Sequence, residues 1–114
     1  MPEQISLADW QPAANLLAEK IILLTGAANG IGRAVADAMA AHGATVVMLD
    51  KDVKGLELAY DEIVANGSTE PALYPMDLQG ATPDDYTQLA KTLEQEFGRL
   101  DGLVHNAAWL GALV

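Results

Sequence analysis

Residues 23–32 read LLTGAANGIG, an apolar run that breaks into Gly26, Gly30 and Gly32 and passes straight into an alanine-rich stretch. The preceding segment, KIILLTG from Lys20, is short, leucine- and isoleucine-rich and stopped by glycine, as expected of a parallel strand buried on both faces. After the glycines, Ile31, Val35, Ala38 and Met39 recur at helical spacing, and Gly43 supplies a C-terminal stop. The stretch therefore reads as strand, bare turn, helix. Working outward, the same alternation continues to the end of the chain.

ATVVMLD ends at Asp50, and Asp52 then stands where it can cap a helix carrying Leu56, Tyr60 and Ile63 on one face, closed by Asn66-Gly67. ALYPMDL is a weaker strand. Pro75 cannot donate a ladder hydrogen bond, so the edge of the sheet is its natural place. In TPDDYTQLAKTLEQEFG, Thr82 is the N-cap and Pro83 the first helical residue. Asp84 and Asp85 lie near the positive end of the dipole, Tyr86, Leu89, Leu93 and Phe97 share a face, and Gly98 is the stop. LDGLVHNAA is the fourth strand. The order β-α-β-α-β-α-β demands right-handed crossovers and predicts an α/β fold with a doubly wound, Rossmann-like parallel sheet of strand order 3-2-1-4. Residues 1–19, with Trp10 and two prolines, read as an arm with one helical turn around AANLLAE, and residues 20–114 as the α/β half-domain.

Composition narrows the function. The chain has 114 residues, 51% of them hydrophobic, which suits one compact domain. Sixteen acidic residues against six basic ones leave a formal charge of −10. A nucleic-acid backbone would be repelled over most of such a surface. The chain has no cysteine, which removes thiolate nucleophiles and cysteine-ligated metals and fits a reducing compartment. No metal-binding constellation stands out. The start, MPEQISLADW, lacks the basic and apolar regions of a secretory leader, and no apolar run reaches the ~20 residues of a membrane span. A cytoplasmic protein is expected.

In a doubly wound sheet, the turn after strand one lies at the carboxyl ends of the strands. There a helix N-terminus offers N–H groups and partial positive charge to an anion. A side chain at Gly26 would obstruct the turn, one at Gly30 the approach of a pyrophosphate, and one at Gly32 the packing of the helix on the sheet. A glycine-rich turn without a ligand is the other reading of the same residues. Asp50, ending strand two 18 residues beyond Gly32, is placed to accept from a ribose hydroxyl and to repel a 2'-phosphate. It reads equally as a helix-capping or solvated aspartate, and Lys51 beside it would attract a phosphate. Asp77, on the same sheet edge, is placed for the exocyclic amine of a base, or is a solvated loop residue. Asn106 at the end of strand four is a bridging amide or an ordinary turn residue.

TGAANGIG resembles the T-G-x-x-x-G-x-G signature of the short-chain dehydrogenase/reductase family, and LDGLVHNAA is similar to that family's L-D-x-L-V-N-N-A-G segment. Over residues 17–114 the resemblance implies a nicotinamide dinucleotide as cofactor, with NAD favoured by Asp50 and the non-basic Asn29, and NADP admissible through Lys51. It implies that Thr25, Gly26, Asn29, Gly30, Ile31 and Gly32 line the phosphates and ribose. Asp77 with Leu78 would line the adenine, and Asn106, Ala107 and Ala108 the nicotinamide side. It further implies hydride transfer between nicotinamide and an alcohol or carbonyl substrate. His105 and Ala108 depart from the family's asparagine and glycine, and a methyl group at Ala108 would crowd the cofactor.

The family's catalytic serine and Y-x-x-x-K pair lie beyond strand four. Here Tyr60, Tyr74 and Tyr86 are followed four residues later by Val64, Leu78 and Ala90, so no catalytic residue is assigned and the chain alone is expected to be inactive. His42 and His105 are the other candidate acid-base groups, but at a helix end and a strand end they read more readily as structural histidines. The apolar ending WLGALV reads as that of a truncated domain. Together with an open fourth strand it would invite a second copy, so a homo-oligomer is expected. A stand-alone, non-catalytic dinucleotide-binding or regulatory module is the rival reading, and a structural domain with a vestigial site a third.

Overall fold

The computed structural model describes residues 16–105. Four parallel strands, β1 (Ile21–Thr25), β2 (Thr45–Asp50), β3 (Ala72–Pro75) and β4 (Gly102–His105), form one sheet in the order β3-β2-β1-β4. Three helices connect them: α1 (Gly30–Ala41), α2 (Val53–Ala65) and α3 (Pro83–Phe97). The order is the expected 3-2-1-4, with the proline-containing strand at one edge and β4 at the other.

The two central strands are apolar over residues 21–24 of β1 and 46–49 of β2 because both their faces are covered. Ile22, Leu24, Val46 and Met48 pack under α1 and α2 with Leu56, Ala59 and Ile63, while Leu23, Val47 and Leu49 pack under Leu89 and Leu93 of α3. Burying each such leucine, valine or methionine contributes ~1.5–3 kcal/mol. This core holds the carboxyl ends of β1 and β2 in fixed register, Thr25 opposite Leu49.

Helix α1 differs from its sequence reading. The residues against the sheet are Gly32, Ala36 and Ala40, with Val35 and Met39 half-buried beside them, whereas Ala38 is exposed and Ile31 is 75% exposed. Small residues at i, i+4 and i+8 let the helix lie close on the strands, and that close approach decides the face. Tyr86, expected on the buried face of α3, is 49% exposed because the first turn of α3 overhangs the end of the sheet. The segment after β3 leaves the sheet at Pro75 and forms a 3-10 turn at Leu78–Gly80.

The caps follow the sequence. Asp52 accepts from Gly55 N at 2.9 Å, and Thr82 and Asp85 form a reciprocal capping box. Gly43, Gly67 and Gly98 close the three helices with positive φ. The part of the arm within the described residues contributes more than expected. Leu17 packs against the core and its N–H donates to His42 O, and Ala18 sits so close to Gly43 that a Cβ there would lie 2.9 Å from its Cα.

Candidate functional site

The carboxyl ends of β1 and β2 and the segment after β3 meet at one edge of the sheet, around a cleft of about 620 Å³. Gly26, Asp50, Lys51, Asp77 and Leu78 line it, together with Leu49, Met76, Gln79, Tyr86 and His105. Of the residues expected from sequence, the first five face this cleft. Thr25 is buried beneath it and Gly32 lies against the sheet. Asn29, Gly30 and Ile31, where α1 begins, are not among the residues that line the cleft. Asn106, Ala107 and Ala108 lie outside the described residues, as does Trp109–Val114.

The glycine turn is built for an open helix end. Gly26 and Gly30 both have left-handed backbone, φ 67° and 61°, which side chains other than glycine resist. A Cβ added at Gly30 would meet nothing within 4 Å among the described residues, so a side chain there would enter open space. The N-cap residue Asn29 makes no side-chain bond to the first turn, and no acidic residue lies in that turn. Helices α2 and α3 do have side-chain caps. Uncapped N–H groups at a helix N-terminus are ready donors for an anion. Arg33, the sole basic residue of α1, does not serve it: its guanidinium bonds Asp37 at 3.1 Å and Glu62 at 2.6 Å.

Asp50 does more than either sequence reading assigned to it. One carboxylate oxygen accepts from Ala28 N at 3.1 Å and the other from Asp52 N at 3.0 Å, so the side chain ties the glycine turn to the β2–α2 junction. Each oxygen retains a lone pair for a further donor. Asp77 similarly accepts from Gln79 N at 3.0 Å while lining the cleft. Asp52 stands just behind, accepting from Gly55 N and from Asn29 Nδ2 (3.0 Å); these bonds, the Gly55 N–H foremost, hold its carboxyl below the usual aspartate range. Across the cleft, Thr25 Oγ1 and His105 Nδ1 are 3.1 Å apart, joining β1 to β4.

Sequence reasoning missed Leu49, Met76, Gln79 and Tyr86 as cleft residues, and it weighed His105 as an acid-base candidate without placing it at the cleft. The readable signals were the flanks of Asp77 and the place of Tyr86 in the first turn after a Thr-Pro cap. Among the described residues no cluster of three or more metal-ligating side chains occurs, and no helix is long and apolar enough to cross a membrane.

The sequence and fold of this chain have counterparts among known proteins. A family model for short chain dehydrogenases matches residues 20–113. The chain is 38% identical over 102 residues to the oxidoreductase YciK of Escherichia coli K12, covering 90% of this chain and 40% of that protein. A candidate short chain dehydrogenase from Pseudomonas syringae superposes with a TM-score of 0.83 at 46% identity, over 89% of this chain and 42% of that one. Another from Shigella flexneri, solved in complex with NADP, superposes with a TM-score of 0.82 at 37% identity, over 86% of this chain and 41% of that one. The chain thus spans about two fifths of the length of these relatives. On the family match, the identities and the shared fold, it belongs to the short chain dehydrogenase family.

Proposed function

We propose that this chain forms the dinucleotide-binding portion of an NAD(P)-dependent short-chain oxidoreductase, an arm at residues 1–19 preceding a half-domain at 20–114. The observation that carries the reading is the start of α1: a side-chain-free N-terminus behind Gly30, with open space where a Cβ would stand, beside a cleft lined by Asp50 and Asp77. That cradle fits a pyrophosphate. The N–H groups of the first turn of α1 would hold the phosphates, Asp50 the adenosine ribose, and Asp77 with Leu78 the adenine. Asn106 to Ala108 would face the nicotinamide side. When bound, nicotinamide supplies hydride exchange with a carbinol or carbonyl carbon.

The chain's own residues bind and orient in this reading, and they do not move the substrate proton. With no tyrosine followed by lysine four residues on, general acid-base assistance worth ~10²–10⁴-fold is missing. The 114 residues alone should therefore bind nucleotide without turnover. Calorimetric titration with NAD, joined to a nicotinamide absorbance assay over a panel of alcohols and ketones, tests both parts. Saturable binding without turnover is expected. Absence of binding overturns the site, and reproducible turnover overturns the silent-half assignment.

A further inference from the structure

The β2–α2 junction contacts the glycine turn from behind, and two of its residues have no role in the site as described above. Asp52 Oδ2 accepts from Asn29 Nδ2 at 3.0 Å while its Oδ1 accepts from Gly55 N at 2.9 Å. One carboxylate therefore grips both the turn and the first turn of α2. Gly55 is the complementary part. A Cβ there would lie 2.6 Å from Asp52 Oδ2 and 2.9 Å from Ala28 Cβ, both inside van der Waals contact. Gly55 is helical and has no positive φ, so backbone conformation does not demand glycine. Close approach of Ala28 and Asp52 does.

We propose that Asp52 and Gly55 are positioning residues for the dinucleotide turn: Gly55 lets α2 close onto Ala28, and Asp52 holds the Asn29 side chain against the junction. Rigid support of this kind is what keeps backbone donors aligned before a ligand arrives. Asn29 is the residue immediately before the uncapped turn of α1. With its amide drawn back to Asp52, it neither folds over the free N–H groups nor swings into the open space at Gly30. The Asp50 bond to Ala28 N fixes one side of the turn. The Asp52 bond to Asn29 fixes the other.

This inference rests on the dinucleotide reading, and the experiment separates the two. NAD affinity is measured by calorimetry for the unaltered chain, Asp52→Ala, Asp52→Asn, Gly55→Ala and, as a stability control, Gly98→Ala, with amide hydrogen exchange at Ala28 and Asn29 in each. Gly98 stands at the far end of α3 with φ 73° and nothing within 4 Å of an added Cβ. Its alanine variant costs fold stability without touching the turn. Asp52→Ala and Gly55→Ala should each weaken NAD binding by about threefold to tenfold, the span of one net hydrogen bond, and speed exchange at Ala28 and Asn29. Asp52→Asn should stay within about twofold of the unaltered chain, since asparagine caps as well as aspartate and its amide can pair with Asn29 once that side chain turns over. Gly98→Ala should lower stability and leave affinity unchanged. Unaltered affinity in Asp52→Ala, or an equal loss in Gly98→Ala, overturns the positioning role. Failure of the unaltered chain to bind NAD overturns the dinucleotide reading and this inference with it.

Discussion

The carboxylate of Asp50, at the end of β2, bonds the backbone N–H of Ala28 in the glycine turn at 3.1 Å, across 22 residues of sequence. In the proposed reading, the residue that selects the cofactor would thus also be a structural part of the loop that holds it. Its carboxylate is held by two backbone N–H donors. A 2'-phosphate would meet that fixed charge.

Cofactor choice follows. NAD is expected to bind more tightly than NADP, although the Shigella flexneri relative was solved in complex with NADP. Asp50→Asn should narrow the preference by about tenfold, or ~1.4 kcal/mol. Parallel calorimetric titrations with the two nucleotides check this, and tighter NADP binding by the unaltered chain contradicts it.

Gly30 and Gly98 form a matched pair, both with left-handed backbone and both with nothing within 4 Å of an added Cβ. Alanine at either should cost about 1–2 kcal/mol of stability through backbone strain. Only Gly30→Ala should also weaken NAD binding, because its methyl group enters the space before α1. Equal NAD affinity in the two variants at matched folded fraction would place the phosphates elsewhere.

Acid should loosen the fold at named points. The carboxyls of Asp52 and Asp101 both sit below the usual aspartate range, Asp52 through Gly55 N and then Asn29, Asp101 through Ile21 N and then Arg99. A carboxylate with a depressed folded pKa contributes stability that is fully present above its unfolded value of about 3.9 and is lost as pH falls through the folded value. Denaturant midpoints should therefore drop more steeply below about pH 4 in the unaltered chain than in Asp101→Asn. Identical acid limbs would show that the Asp101 bond linking β4 to β1 contributes nothing.

Self-association should follow from β4. It pairs with β1 alone among the described strands, and Leu103 on it is 61% exposed. Unpaired edges and apolar surface invite a second copy. Leu103→Lys should lower the association seen by sedimentation velocity. A strictly monomeric unaltered chain at high concentration contradicts this.

Much of this arrangement was legible because its causes are local. The glycine stops, the Asp52 and Thr82 caps and the doubly apolar strands each announce themselves over a few residues, and their alternation points to a doubly wound parallel sheet. The buried face of α1 was not legible. Helical spacing selects the large residues Ile31 and Met39, whereas the sheet accepts Gly32, Ala36 and Ala40 because the helix lies so close. At the site, Asp50 and Asp77 could be read from strand ends. The hydrogen bonds of Asp50 to Ala28 and of Asp52 to Asn29 depend on how the turn and the junction meet in space, which spacing along the chain does not encode. Tyr86 escaped for the same reason, since only the finished packing shows α3 overhanging the cleft.

The most direct test of the central claim is a two-dimensional amide NMR titration of the folded chain with NAD. The account predicts saturable shifts at Gly26, the first turn of α1 from Gly30 to Gly32, Asp50, Asp77 and His105, with Gly67 and Gly98 unmoved. Saturable shifts that leave Gly26 and Gly30 to Gly32 unmoved, or no saturable shifts at all, would contradict it.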